Sequence, residues 1–265
     1  QEQQPDARIL LGLLSAVAYL LGRFKFNVLI RSVMRISHLF ILLAASAMLT
    51  ACDFLDEYNP NSVTVGNYYT SEEDIVASLN GVYTSLTQSY VADNYHYFTD
   101  VRANATVVTN SGANSGIPYQ FYNYTLTEEN VYVYNRYSQL YKIISRANTL
   151  FAHLGDVSYA TPSARDTYEA EARFLRALSY YWLVTEWGDV PLVLKVLEST
   201  EEVRANNYRR PKAEIYQAIF DDLKYVTESP LLDVQPASAC GKVSKAAAWA
   251  LWGKALLLSL IHISE

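Results

Sequence analysis

The sequence predicts a mostly α-helical protein, built of stacked antiparallel helix pairs that carry long irregular loops. Five stretches repeat apolar residues at the 3.6-residue helical spacing. Their ends carry Ser, Asn, Pro or Gly in the places where helices start and stop. Between the first and second stretch, residues 90–128 follow neither a helical nor a strand period and are crowded with tyrosine.

The chain opens on Gln1, and its first methionine is Met34. Met34-Arg-Ile-Ser-His38 is a short basic start. It leads into the apolar stretch Leu39 to Ala47 and closes on Leu49-Thr-Ala-Cys52. This is the three-part layout of a secretory signal, too short to span a bilayer. Small residues directly before Cys52 form a lipobox, where cleavage would free an amine and a thiol for acylation. A second apolar run, Ile9 to Gly22, also falls below the roughly 20 residues of a spanning helix. We expect residues 1–33 to be a non-native upstream extension and 34–51 a lipoprotein signal peptide. Residues 52–70, polar around Asn59-Pro-Asn-Ser62, would be a lipidated, extended tether.

Ser71 opens the first helix, with Glu72, Glu73 and Asp74 favouring its positive end. Ile75, Leu79, Val82, Tyr83 and Leu86 form its inward stripe. In residues 90–128 the aromatics mix with Asn, Thr, Ser and Gly, and Asn110-Ser-Gly-Ala-Asn-Ser-Gly116 reads as a turn-rich loop. A long helix follows from about Asn130 to Leu154. Asn148 falls near its apolar face, where a buried amide needs partners on a neighbouring element.

Pro162-Ser163 starts the next helix, which runs to Trp187. Phe174, Leu175, Leu178, Tyr181, Trp182 and Thr185 share about one third of its wheel. Leu183, Val184 and Trp187 occupy other sides, so the helix should be sandwiched between neighbours. Glu171 lies among apolar positions and needs a partner, expected as a buried ion pair. Gly188 supplies a left-handed stop and Pro191 forbids resumption. Val190 to Leu194 reads as a short extended run and residues 195–210 as a polar linker. Helices from Pro211 and from Ser244 complete the pairs 130–154 with 164–187 and 211–228 with 243–260, compatible with tetratricopeptide-like packing.

Ala170-Glu-Ala-Arg173-Phe-Leu-Arg176-Ala177, followed by Trp187-Gly188-Asp189-Val190-Pro191-Leu-Val193, resembles the signature of the SusD/RagB family. Cys52-Asp-Phe-Leu-Asp56, Asn67-Tyr-Tyr69, Ala77-Ser-Leu-Asn-Gly-Val-Tyr83 and Arg146-Ala-Asn148 extend the similarity from Cys52 to about Leu258. The resemblance implies a nutrient-binding lipoprotein of the Gram-negative outer membrane. It also implies structural roles for Asn148, Glu171, Arg173, Arg176, Trp187, Gly188, Asp189 and Pro191. Family members are roughly twice as long, so residues 71–258 would be a truncated amino-terminal domain and 259–265 a foreign tail.

Composition narrows the function. The formal charge is −6, and five of the 21 basic but only two of the 27 acidic residues fall before Cys52, leaving −9 on the remainder. An acidic body argues against nucleic acid as a partner. Cys52 and Cys240 provide no disulfide framework once Cys52 is acylated. None of the four histidines has metal-ligand spacing, and no dinucleotide, Walker or nucleophile-elbow pattern occurs, so no cofactor or metal is expected. The adjacent carboxylates Glu128-Glu129, Glu201-Glu202 and Asp221-Asp222 do not face each other as glycoside hydrolysis requires. The expectation is therefore a protein that is not an enzyme.

Sugar rings stack apolar C–H faces on aromatic rings, while Asp, Asn and Arg hydrogen-bond the hydroxyls. The candidate ligand-binding residues are Tyr95, Tyr97, Asp100, Arg102, Tyr119 and Tyr122. Trp182 and Trp187 are read as core, and Trp249 and Trp252 as packing a missing helix. The resemblance further implies a SusC-like TonB-dependent transporter as partner, with an oligosaccharide as ligand. Alternatives are capture of peptide or another nutrient, an α-helical glycoside hydrolase, and a scaffold of helical repeats.

Overall fold

The computed structural model describes residues 68–108 and 116–263, together with Gly12 and Tyr19; from residue 260 onward only the helical backbone is described. The chain divides into two compact units, 1–63 and 64–265. The expected extension at 1–33, signal peptide at 34–51, Cys52 and nearly all of the tether lie outside the described residues, as do residues 109–115.

The second unit is helical, and among its described residues there is no β-strand beyond one antiparallel bridge between Val190 and Arg210. Its α-helices are α1 (Glu72–Leu86), α2 (Tyr119–Tyr122), α3 (Val131–His153), α4 (Ala164–Trp187), α5 (Thr200–Asn206), α6 (Lys212–Glu228) and α7 (Lys245–Ile263). A π-helical turn, Tyr97–Val101, sits in the loop between α1 and α2. Helix α4 packs on both α3 and α6, α1 lies against α3 and α4, and α7 pairs with α6. This is the all-α, tetratricopeptide-like stack of helix pairs that the sequence predicts.

Local chemistry sets the helix ends. Ser71 and Asp74 form a reciprocal capping box at the start of α1. The Asn130 side chain accepts from the backbone N–H groups of Tyr132 and Val133 at the start of α3. Gly188 ends α4 at φ +76°, and a Cβ there would stand 3.1 Å from the Lys212 side chain, so both strain and space favour glycine. Asp189 then accepts the Lys212 N–H at 2.9 Å, fixing the first turn of α6 to the end of α4.

Two expectations change. Residues 195–210 are not all linker: Ser199 caps the short helix α5 through the Glu202 N–H. The buried face of α4 is also rotated from the expected one. Ala172, Leu175, Ala177, Ser179, Tyr180 and Leu183 are buried, Phe174, Leu178, Tyr181 and Trp182 are only half-buried, and Thr185 is exposed. Small residues let α3 and α6 approach this side closely, leaving the large rings at its edges.

Polar groups cross the helix interfaces. Arg176 donates from Nε and Nη2 to Asp222 at 2.8 and 2.7 Å, and from Nη1 to the Asn148 side-chain oxygen at 2.7 Å. Asn148 passes the connection on, donating to the carbonyls of Val193 and Lys195. Arg173 bridges Asp222 and Glu169. The Tyr141 and Tyr180 hydroxyls donate to the carbonyls of Pro191 and Val193. The extended run after Gly188 is thus laid against α3 and α4 by side chains rather than by a sheet.

Glu171 finds its closest partner in a hydroxyl rather than in a cation. Tyr83 donates to it at 2.6 Å and accepts the Val243 N–H at 3.0 Å, while Lys242 stands 3.9 Å away on the exposed side. Burial holds the Glu171 carboxyl above its ordinary range, against the pull of Tyr83 and Lys242. A carboxyl raised in the folded state stabilises fully below its unfolded value and loses that contribution as pH rises through the raised value. Glu171→Gln should therefore gain stability relative to the parent as pH rises above the ordinary carboxyl range. Paired denaturant titrations check this, and a pH-independent difference would contradict it.

Candidate ligand-binding surface

The aromatic-polar loop is seated against the start of α3 and the end of α4, and Arg136 of α3 holds it there. Its guanidinium is fully buried and donates twice to Glu186 of α4, at 2.6 Å each. It also donates to the loop carbonyls of Tyr90 and Val91 at 3.0 and 3.4 Å. The rings of Tyr95 and Phe98 close over it at 4.9 and 4.8 Å, and Trp182 stands at 5.5 Å. Burial pushes the Glu186 carboxyl up, against the pull of Arg136 and, farther out, Arg102.

A second tie comes from Asn130, whose amide donates to the Ile117 carbonyl and the Gln120 side chain. Held at both places, the loop forms a satellite core of Phe98, Val101 and Phe121, with Tyr97, Tyr122, Tyr132 and Trp187 packed around it. Beside this cluster opens a depression of about 200 Å³. Phe98, Phe121 and Trp187 line it along with Arg102, Thr127 and Glu186.

The six sequence-selected residues are dispersed over this region. Arg102 is exposed and lines the depression. Asp100 is exposed on the π-helical turn, and Tyr95 is 36% exposed with its ring 6.0 Å from Trp182. Tyr97 is half-buried, edge-on to Tyr132 at 5.3 Å, while Tyr119 and Tyr122 lie together at 5.6 Å. Residues 90–128 are also more regular than their sequence suggests, because the π-helical turn and α2 present Phe98 and Phe121 to each other at 4.9 Å.

Sequence reasoning did not choose Phe98, Phe121 or Glu186 for this surface, and it read Trp187 as core. Trp187 is half-buried rather than core, and touches Phe98 on one side and Tyr137 on the other. The signal was its place directly before Gly188, where α4 ends and no longer buries every side. Among the described residues, no cluster of His, Cys, Asp and Glu is placed to hold a metal, and no helix is long and apolar enough to cross a membrane.

The architecture is thus an all-α stack of helix pairs whose loop carries a polar-edged aromatic depression. Residues 53–257 match the SusD-like family model described as "Starch-binding associating with outer membrane", and the chain belongs to that family. It is 28% identical to SusD-like protein P2 of Formosa agariphila over 202 residues, which are 76% of this chain and 39% of that protein. A SusD-like protein of Bacteroides ovatus is 25% identical over 207 residues, 73% of this chain and 35% of the relative. The chain thus spans about two fifths of the curated relatives it matches. Among solved structures, a laminarin-binding SusD-like protein superposes with a TM-score of 0.62 at 28% identity, over 71% of this chain and 40% of that one. Surface glycan-binding protein A from Bacteroides thetaiotaomicron, in complex with laminarihexaose, shares the fold at a TM-score of 0.58 and 21% identity, over 70% of this chain and 38% of the other.

Proposed function

We propose that this protein captures a glycan at the outer-membrane surface and hands it to a TonB-dependent transporter without altering it. The carrying observation is the depression framed by Phe98, Phe121 and Trp187 and edged by Arg102 and Thr127. Such a wall suits the apolar faces of sugar rings, and the edge suits their hydroxyls. Its one lining carboxylate, Glu186, is engaged at both oxygens by Arg136, which suits anchoring better than proton transfer. Tyr95, Tyr97, Asp100, Tyr119 and Tyr122 would extend the contact surface around it. Kinship with laminarin- and laminarihexaose-binding proteins supports a glycan ligand.

Anchoring belongs to the same reading: a signal peptide at 34–51, acyl chains on Cys52, a tether to residue 70 and the helical domain beyond it. More than one acyl chain holds a protein stably at a bilayer.

Retention on immobilised polysaccharides tests the binding. Trp187→Ala and Arg102→Ala are each expected to weaken retention about tenfold, with thermal unfolding confirming that the variants fold. Retention of peptides but of no glycan would overturn the ligand class. Reducing-sugar release abolished by Glu128→Gln would replace capture by hydrolysis. Palmitate labelling lost in Cys52→Ser is the expected sign of the anchor, and labelling that persists would refute it.

A further inference from the structure

The depression beside Arg102 does not end at Trp187. A second one, of about 190 Å³, shares Val133 and Trp187 with it. A third, of about 160 Å³, shares Tyr137 with the second and is closed by Val203 and Asn206 of α5. Beneath them runs an unbroken series of rings. Phe98 to Trp187 measures 6.2 Å, Trp187 to Tyr137 5.3 Å and Tyr137 to Tyr141 4.9 Å between centroids. Polar groups recur along the edge: Arg102 at the first depression, Asp189 and Arg209 at the second, Asn206 and Asn207 at the third.

Pockets that enclose a small ligand hold about 300–1,000 Å³. Each depression falls below that, so none alone engulfs a compact molecule. Neighbouring depressions share lining residues and rings in contact, as the segments of one open groove do.

We infer that this groove takes a linear oligosaccharide lengthwise, with successive sugar rings over Trp187, Tyr137 and Tyr141. The inference rests on the glycan-binding reading and adds the ligand's shape: an unbranched chain long enough to reach from Arg102 to α5. A single sugar would occupy one depression and gain nothing from the other two.

Titration calorimetry of the full chain with laminari-, malto-, xylo- and manno-oligosaccharides of two to six units tests it. In the series that binds, the six-unit chain is expected to bind roughly tenfold more tightly than the two-unit one. Val203→Trp fills the third depression from a residue that is 44% exposed, away from the buried core. It should abolish most of the gain with length. Equal affinity at all lengths, or a length gain that survives Val203→Trp, overturns the groove while glycan binding stands. Absence of binding in all four series overturns both.

Discussion

Asp222→Ala is expected to be among the most damaging single substitutions in the chain, lowering stability by about 3–5 kcal/mol. Asp222 is 2% exposed, and it accepts hydrogen bonds from Arg173 and, at both oxygens, from Arg176. Removing the carboxylate strands the Arg176 guanidinium, whose side chain is 6% exposed, in a site closed to water. The cost comes from the uncompensated charge rather than from the lost attraction. Replacing both partners, Arg176→Met with Asp222→Leu, should therefore destabilise less than Asp222→Ala alone. For a domain of this size the single variant should unfold roughly 10 °C lower, or more. Thermal unfolding of the three proteins checks this, and a single variant within a degree or two of the parent would contradict it.

Arg136→Ala is expected to do comparable harm, and at a functional place. The side chain is fully buried, and it connects α3, the Glu186 carboxylate of α4 and the loop carbonyls of Tyr90 and Val91. Its loss leaves a buried carboxylate without its cation and removes the surface on which Tyr95 and Phe98 rest, at an expected cost of about 3–5 kcal/mol. The loop should loosen before the bundle does. Hydrogen exchange in Arg136→Ala should accelerate across the Tyr97–Val101 turn while the α4–α6 interface keeps its protection. Glycan retention should fall with it. Uniform acceleration over the whole chain would mean that Arg136 supports the bundle rather than the loop.

Much of the scaffold was legible in the chain. Ser71, Asn130, Pro211 and Gly188 mark helix boundaries through local chemistry, and local chemistry is what a sequence displays. Asn148 could be singled out as an amide in need of partners, although only the folded chain reveals Arg176 on one side and Val193 on the other. What stayed hidden depends on pairings between distant elements. Arg136 looks like an ordinary basic residue near the start of α3, since its carboxylate partner lies 50 positions away. Glu171 meets a tyrosine hydroxyl from α1, 88 positions off, at 2.6 Å, and the expected cation, Lys242, only at 3.9 Å. The wheel of α4 misplaced the inner face because small residues such as Ala172 and Ala177 carry little hydrophobic weight yet govern how closely helices pack.

The candidate surface was legible as a region more than as a set of contacts. An abundance of tyrosine drew attention to residues 90–128, but the rings that frame the depression there are phenylalanines, and its far wall is a tryptophan from α4. Arg102 alone was both chosen from the sequence and found lining the depression.

The most direct test follows the four indole N–H signals during titration with laminarihexaose in a two-dimensional nitrogen–proton spectrum. Trp187 is the only tryptophan lining the depression, whereas Trp249 and Trp252 stack together on α7. A saturable shift of the Trp187 signal is expected, absent in Trp187→Phe, with Trp249 and Trp252 unmoved. A saturable shift confined to Trp249 and Trp252 would place the glycan on α7 and rule out capture at the depression.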